Sequence, residues 1–511
     1  MSGRKWGTLV AVCAATFMLL VDITIVNVAL PSIQRSLDAS FTDVQWVVDA
    51  YALTLAAAML TAGSIADLLG RKRLFAIGVA VFTVASLLCA LAGSPLFLNL
   101  SRALQGIGGS IMFATSLALI AQAFHGRERG TAFGIWGGTI GAAVAIGPLL
   151  GGLLTESLNW RWIFLINVPI GIATLALTFR LVSESRDPEA RHVDWAGLST
   201  FSASLFLLVL ALLRGNEEGW SSTKIVTFLG LSAVLLAAFL IVEARQTRPM
   251  LDLSLFAKPA FVGAQLAAFT IAAGFFAMFL FLSFYLQNTL GYSPLQAGLR
   301  FLPITLFVFL VAPLAGRLSE TLPPRLLLAI GLALIGGGLL LAAGLEDNSN
   351  WTSLLAGFVL TGIGAGIVNP TLATAAIGVV TPQRSGMASG INSTFRFLGI
   401  STGIAGLGAI LQHHVKSATD TLLDGSRAAG AVTQLIASGN AKGAAAAAPP
   451  HAREALAATA KHTFISGLNE LLVVGAVIAF AGAVLALVLV RGRDFVRAPA
   501  AAASPASPTP G

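Results

Sequence analysis

Long apolar runs recur from one end of the chain to the other, and no other feature constrains the fold as strongly. A helix needs roughly 20 residues to cross a hydrocarbon core about 30 Å thick. Fourteen runs meet that need: 7–31, 44–67, 73–93, 96–123, 131–156, 161–181, 194–214, 222–243, 261–288, 294–316, 323–344, 351–378, 385–411 and 462–490. Only 11% of the 511 residues are charged, where a soluble domain carries about 25%. Backbone polar groups in hydrocarbon must be satisfied within the span, so long apolar runs become helices. The chain reads as an all-α polytopic membrane protein, with the lipid bilayer as its first partner.

The formal charge of +8 invites a nucleic-acid reading, but the basic residues sit in short clusters between apolar runs, where orientation signals lie. Nineteen of the 31 lysines and arginines fall in one set of loops and tails, among them Arg71, Lys72 and Arg73. Four fall in the opposite short loops: Arg35, Arg161, Arg214 and Lys224. An even number of spans and this bias place both termini in the cytoplasm. No nucleic-acid partner is expected. Cys13 and Cys89 lie inside apolar runs and form no disulfide framework. His413 and His414 are adjacent but lack further ligand spacing, so no metal is expected. No cleavable signal peptide is expected, because the first run is too long for one. No nucleophile or cofactor cluster stands out, and no Walker A sequence is present. Neither an enzyme nor a directly ATP-driven pump is expected.

The chain repeats internally. "GIGG" at 106–109 returns as "GIGAG" at 362–366, an offset of 256. At that offset Gly106, Gly108, Gly130, Gly134, Gly147 and Gly152 meet Gly362, Gly364, Gly386, Gly390, Gly403 and Gly408. The offset equals eight spans, an even number, so the copies share one orientation and form a parallel repeat. Fourteen spans then divide as six, two and six: a bundle at 1–185, an inserted pair with its linkers at 186–258, and a second bundle at 259–497. Residues 412–461 form a long external loop within the second bundle, and 498–511 a disordered cytoplasmic tail. Two bundles around one site suit alternating access.

The loop after span 2 reads "GSIADLLGRKRLF" (63–75). Gly63 permits close helix approach, Asp67 ends the span, Gly70 allows a tight turn, and Arg71 and Lys72 follow. This resembles motif A of the major facilitator superfamily. "LVDITIVNVALPSIQ" (20–34), "QWVVDAYAL" (45–53) and "LSRALQGIGGSIMF" (100–113) are similar to motifs of its fourteen-span drug:proton antiporters. So are "GIWGGTIGAAVAIGPLLGGLL" (134–154), with the antiporter pattern at Gly147, Pro148, Gly151 and Gly152, and "NWRWIFLINVPIG" (159–171). The chain departs from the pattern at Leu68, where a basic residue is frequent. "PLAGRLSETLPPRLLL" (313–328) lacks the motif aspartate, and Phe358 stands at the repeat position of Arg102. The acidic residues thus gather in the first half.

Asp22, Asp49 and Arg102 lie inside spans at middle-to-outer depth. A carboxylate there costs roughly 2.5–3.5 kcal/mol even on the lenient insertion scale, which marks it as functional or permanently paired. The resemblance implies proton coupling and recognition of lipophilic cations by the span 1 aspartate and its neighbours. Asp22 takes that role first and Asp49 second, with Arg102 tuning the proton site. Asn27, Gln105, Asn392 and Arg396 join Asp22 and Asp49 as candidate substrate contacts. Arg396 could pair with Glu470 or meet an anionic substrate group. Asp67 and Arg71 are expected to latch one access state. The aromatic stretch "GFFAMFLFLSFYLQ" (274–287) is either packing or the wall of a drug pocket, and Asp194 is expected to cap span 7. The resemblance thus implies a monomeric antiporter exporting hydrophobic, cationic drugs, driven by the proton gradient and needing no cofactor. A dedicated exporter of one metabolite, antibiotic or lipid is the alternative.

Overall fold

The computed structural model describes residues 2–39, 41–124, 127–186, 194–246, 251–319, 321–381, 384–423, 428–450 and 452–495. The tail 498–511 lies outside them. Six helices form the first bundle: α1 (Ser2–Leu37), α2 (Phe41–Leu69), α3 (Arg71–Ala90), α4 (Pro95–Ala123), α5 (Arg127–Ser157) and α6 (Trp162–Leu181). α7 (Trp195–Glu218) and α8 (Thr223–Arg245) follow. The second bundle holds α9 (Pro259–Thr289), α10 (Pro294–Leu318), α11 (Pro324–Ala342), α12 (Leu355–Gly378), α13 (Ser385–Leu423) and α14 (Arg453–Leu489). Among the described residues, 13 stretches are long and apolar enough to cross a bilayer. α5, a helix of 31 residues, takes the place of span 5 and completes the fourteen.

Local chemistry sets several helix starts. Ser94 and Ser293 cap α4 and α10, each with Pro in the first turn, and Gln296 completes a capping box at α10. Asp194 caps α7 as expected, accepting from the Gly197 N–H at 2.8 Å. The inserted pair sits at the side of the molecule. α7 packs on both α2 and α13, whereas α8 packs chiefly on α7. α8 leaves Val226, Val234 and Ile241 exposed, as suits a helix solvated by lipid.

The glycine repeat is visible in the packing. A Cβ on Gly106 of α4 would lie 2.4 Å from the Tyr51 carbonyl oxygen of α2, and one on Gly362 of α12 2.5 Å from that of Ile304 in α10. Gly108 meets α3 at Phe82, and Gly364 meets α11 at Gly331. The next pair crosses between bundles. Gly134 of α5 meets Ala312 and Pro313 of α10, while Gly390 of α13 meets Leu60 and Met59 of α2. Each glycine is related to its partner by eight helices and does the same job there. Lipid tails give helices no hydrophobic reason to associate, so close backbone approach through small residues carries much of the packing.

The described part of 412–461 is largely helical. α13 and α14 run on past their apolar stretches, and two short helices, Ala429–Ala437 and Ala441–Ala447, pack beside them. Asn288 at the end of α9 donates to the Ser438 carbonyl at 2.6 Å and Lys461 to that of Asp347 at 2.6 Å, tying this cap to the second bundle beneath it.

The glycine seams predict a stability effect. Gly364→Ala would place a Cβ 2.5 Å from the Gly331 carbonyl oxygen, backbone that cannot rotate away. Overpacking of this kind costs about 1–3 kcal/mol, so the apparent Tm in detergent should fall by several degrees. Gly93→Ala, with nothing within 4 Å of the added carbon, should leave it unchanged. Heating followed by size-exclusion chromatography reads both, and equal melting would contradict the packing account.

Candidate functional site

The buried carboxylate of α1 has a complete set of donors. Arg102 Nη1 donates to Asp22 Oδ2 at 2.5 Å. Gln105 Nε2 and Asn167 Nδ2 donate to Oδ1 at 2.9 and 3.2 Å. The same two amides donate to Ser86 Oγ at 2.6 and 3.1 Å. Arg102 also donates from Nε to the Val47 carbonyl at 3.0 Å and lies over the Tyr51 ring, 4.2 Å from its centroid. Asp22, Ser86, Arg102, Gln105 and Asn167 are all fully buried. Five helices therefore converge on one ion pair. Breaking such a pair by removing one partner costs about 3–5 kcal/mol, because the other charge stays buried alone.

A second carboxylate works at the basic-loop face. Asp67 accepts from Arg71 Nε and Nη2 at 3.0 and 2.8 Å. It also accepts the backbone N–H groups of Gly386 and Met387 at 3.1 and 2.9 Å. Those two N–H groups belong to the first turn of α13, so Asp67 of one bundle caps a helix of the other. Gly63 lets the helices close: a Cβ there would lie 2.5 Å from the Gly386 carbonyl oxygen. Gly70 has φ +106°, a conformation that strains other residues, and it turns the chain into α3. There Glu184 accepts from the N–H groups of Lys72 and Arg73 at 3.0 and 3.1 Å. Lys72 Nζ donates to the Phe179 carbonyl.

Between these levels lies the middle of the molecule. α9 carries π-helical turns at Ala272–Phe276 and Tyr285–Thr289, a distortion frequent at functional sites. The first turn places Phe275 and Phe276 with Phe279 around a small recess, closed by Gly141, Val308 and Asn369. Beside it Arg396 Nη2 donates to Asn369 Oδ1 at 3.1 Å, with the guanidinium 5.8 Å from the Phe276 centroid. Asn392 donates to Gln265 Oε1 at 3.2 Å. The bundles touch here and toward the basic-loop face: Gly137 meets Asn369, and Phe113 packs edge-on against Phe397. Farther along, α5 turns back to its own bundle, with Gly147 against Thr24 and Gly151 against Ile25 of α1.

The family model described as Major Facilitator Superfamily matches residues 12–404. The chain belongs to the Major Facilitator Superfamily. Among its relatives, the Multidrug resistance protein Stp of Mycobacterium tuberculosis is 39% identical over 79% of this chain and 75% of its own length. The Tetracenomycin C resistance and export protein of Streptomyces glaucescens is 32% identical over 99% of this chain and 95% of its own. The Puromycin resistance protein pur8 of Streptomyces alboniger is 36% identical, covering 80% and 82%. The crystal structure of the human organic anion transporter MFSD10 superposes with a TM-score of 0.59 at 15% identity, over 93% of this chain and 99% of that one. At that identity the likeness speaks for the fold alone.

This major facilitator rearranges several sequence expectations. Asp49 does not join Asp22; it forms an ion pair at 3.0 Å with Arg214 of α7, whose guanidinium lies 5.0 Å from the Trp46 centroid. Gln105 belongs to the Asp22 network. The expected Arg396–Glu470 pair does not form. Gly403 of α13 and Gly475 of α14 face successive residues of α9, Ala273 and Gly274, which sets their depth as equal. Arg396 lies seven residues to one side of that level and Glu470 five to the other, roughly 18 Å apart along the axis. Glu470 bonds His414 at 2.9 Å instead. Gly152 is buried. The side chains of Asn27 and Pro148 lie outside the described residues. Ser86, Asn167, Gln265, Asn369 and Glu184 are additions. Lone polar residues inside apolar runs are the one signal that could have flagged the first four.

Asp67→Ala would leave two helix N–H groups and a guanidinium without their acceptor. Spin labels at positions 69 and 384, with Cys13 and Cys89 replaced, should then show a longer and broader distance distribution. An unchanged distribution would show that the glycine seam alone holds the two helices.

Proposed function

We propose that the protein exports hydrophobic drugs or toxic compounds by proton-coupled alternating access in the bacterial cytoplasmic membrane. Both termini and the Asp67 seam then face the cytoplasm. The observation that carries this reading is the Asp22 network: one carboxylate, fully enclosed, with every partner inside one bundle. A proton on such a group cancels the charge that holds Arg102 and turns one carboxylate oxygen from acceptor to donor. At least one of the three donors must then find another partner, and the helices that carry them repack. That links a single proton to a change in bundle shape.

The bundles 1–185 and 259–497 meet in their cytoplasmic half, which supports an outward-facing arrangement. The Asp67 cap on α13 and the α5–α10 glycine contact close the inner path. Rocking toward the inside would break both. The similarity to drug- and antibiotic-resistance proteins supports efflux as the direction of use. A dedicated exporter of one compound is the second reading, favoured by the full-length match to a protein named for a single antibiotic.

Reconstituted protein with an imposed pH gradient tests the reading. Nile red, a neutral dye, reports transport, and a trapped pH dye reports proton flow. Gradient-driven transport should fall at least about 100-fold in Asp22→Asn. In Asp49→Asn it should stay within about threefold, because that carboxylate holds α7 and not the proton. Transport that ignores the gradient, or an Asp22→Asn protein that works normally, would reject proton coupling. A panel of chemically unrelated compounds then separates a multidrug exporter from a dedicated one.

A further inference from the structure

The charges inside the membrane do not balance. Asp22 is neutralised by Arg102 and Asp49 by Arg214. Arg396 is 5% exposed and, among the described residues, takes part in no ion pair. Its one hydrogen bond goes to Asn369, although a guanidinium carries five donors. Burying a charge this way is costly unless something pairs with it.

The neighbours are short of partners too. Ser389, Ser393 and Arg396 recur at i, i+4 and i+7 and so share one stripe of α13. That stripe lies between the face that meets α9 at Asn392 and the face that meets α2 and α4 at Gly390 and Phe397. It therefore points at the axis between the bundles. Ser389 Oγ, Ser393 Oγ and Gln265 Nε2 are buried with no hydrogen-bond partner, and each residue is at most 1% exposed. Unsatisfied polar atoms this deep are rare unless something visits them. Beside the Arg396 guanidinium Phe276 sits at the π-helical turn and offers an aromatic wall.

We infer that Arg396, with Ser389, Ser393 and Gln265, is the polar end of the substrate site and takes an anionic oxygen, a carboxylate or phenolate, of an aromatic compound. Arginine supplies the charge, the amide and hydroxyls supply further donors, and the α9 phenylalanines hold the ring system. Among the described residues a lipophilic cation finds no free carboxylate at this level, since Asp22 and Asp49 already have arginines. This rests on the exporter reading above and names its substrate class.

Binding separates the two claims, because it needs no gradient. Fluorescein and rhodamine 6G share a xanthene core; the first is an anion and the second a cation. Anisotropy titrations of the full chain in detergent, corrected with empty micelles, should show wild type binding fluorescein at least about tenfold more tightly. Arg396→Gln should lose that preference while still binding rhodamine 6G, and Arg396→Lys should keep it. Gln265→Leu with Ser393→Ala should weaken fluorescein about three- to tenfold and spare the cation, which carries the test should Arg396→Gln not fold. Equal or tighter binding of rhodamine 6G by wild type, or an anion preference that survives loss of both Arg396 and the uncharged donors, overturns the site. Anion binding without gradient-driven transport would instead sink the coupling and leave this site standing.

Discussion

Hydrocarbon offers no water to a charge, and the acids of this protein are arranged around that constraint. Asp22 answers it with an arginine and two amides, all from its own bundle. Asp49 answers it with an arginine from the inserted pair. Asp67 answers it with a neighbouring arginine and the first turn of a helix from the opposite bundle. The same need thus yields a core for one bundle, an anchor for α7, and an interlock between halves. Which task an acid performs depends on where its donors come from.

The fold was largely legible because its determinants are periodic. Apolar runs mark spans, loop basicity gives a bias, and glycines at one fixed offset mark both the repeat and its seams. Gly134 and Gly390 were paired by arithmetic alone, and each crosses to the other bundle in the same way. The Asp22–Arg102 pairing was approachable, since both are isolated charges at like depth. Its completion was not. Asn167 and Ser86 look like ordinary polar residues in apolar runs until five helices bring them together.

Two further failures have simple causes. The partner of Asp67 in the opposite bundle is backbone, and an N–H group leaves no mark in a sequence; any residue at 387 other than proline would supply one, whereas a side chain at 386 would collide with the carboxylate itself. The expected Arg396–Glu470 pair assumed that opposite charges in adjacent helices meet. Their depths forbid it, because Glu470 lies near the cap, where His414, itself held by Ser466, reaches it.

The surplus guanidinium at Arg396 also bears on the electrical character of the cycle. A cation that leaves as a proton enters exchanges like for like, and the membrane voltage does no work. An anion that leaves as a proton enters moves two charges in the same electrical sense, each worth about 2.3 kcal/mol per 100 mV. One unpaired arginine in the middle of the bundle would thus decide whether export draws on the pH difference alone or on the voltage as well.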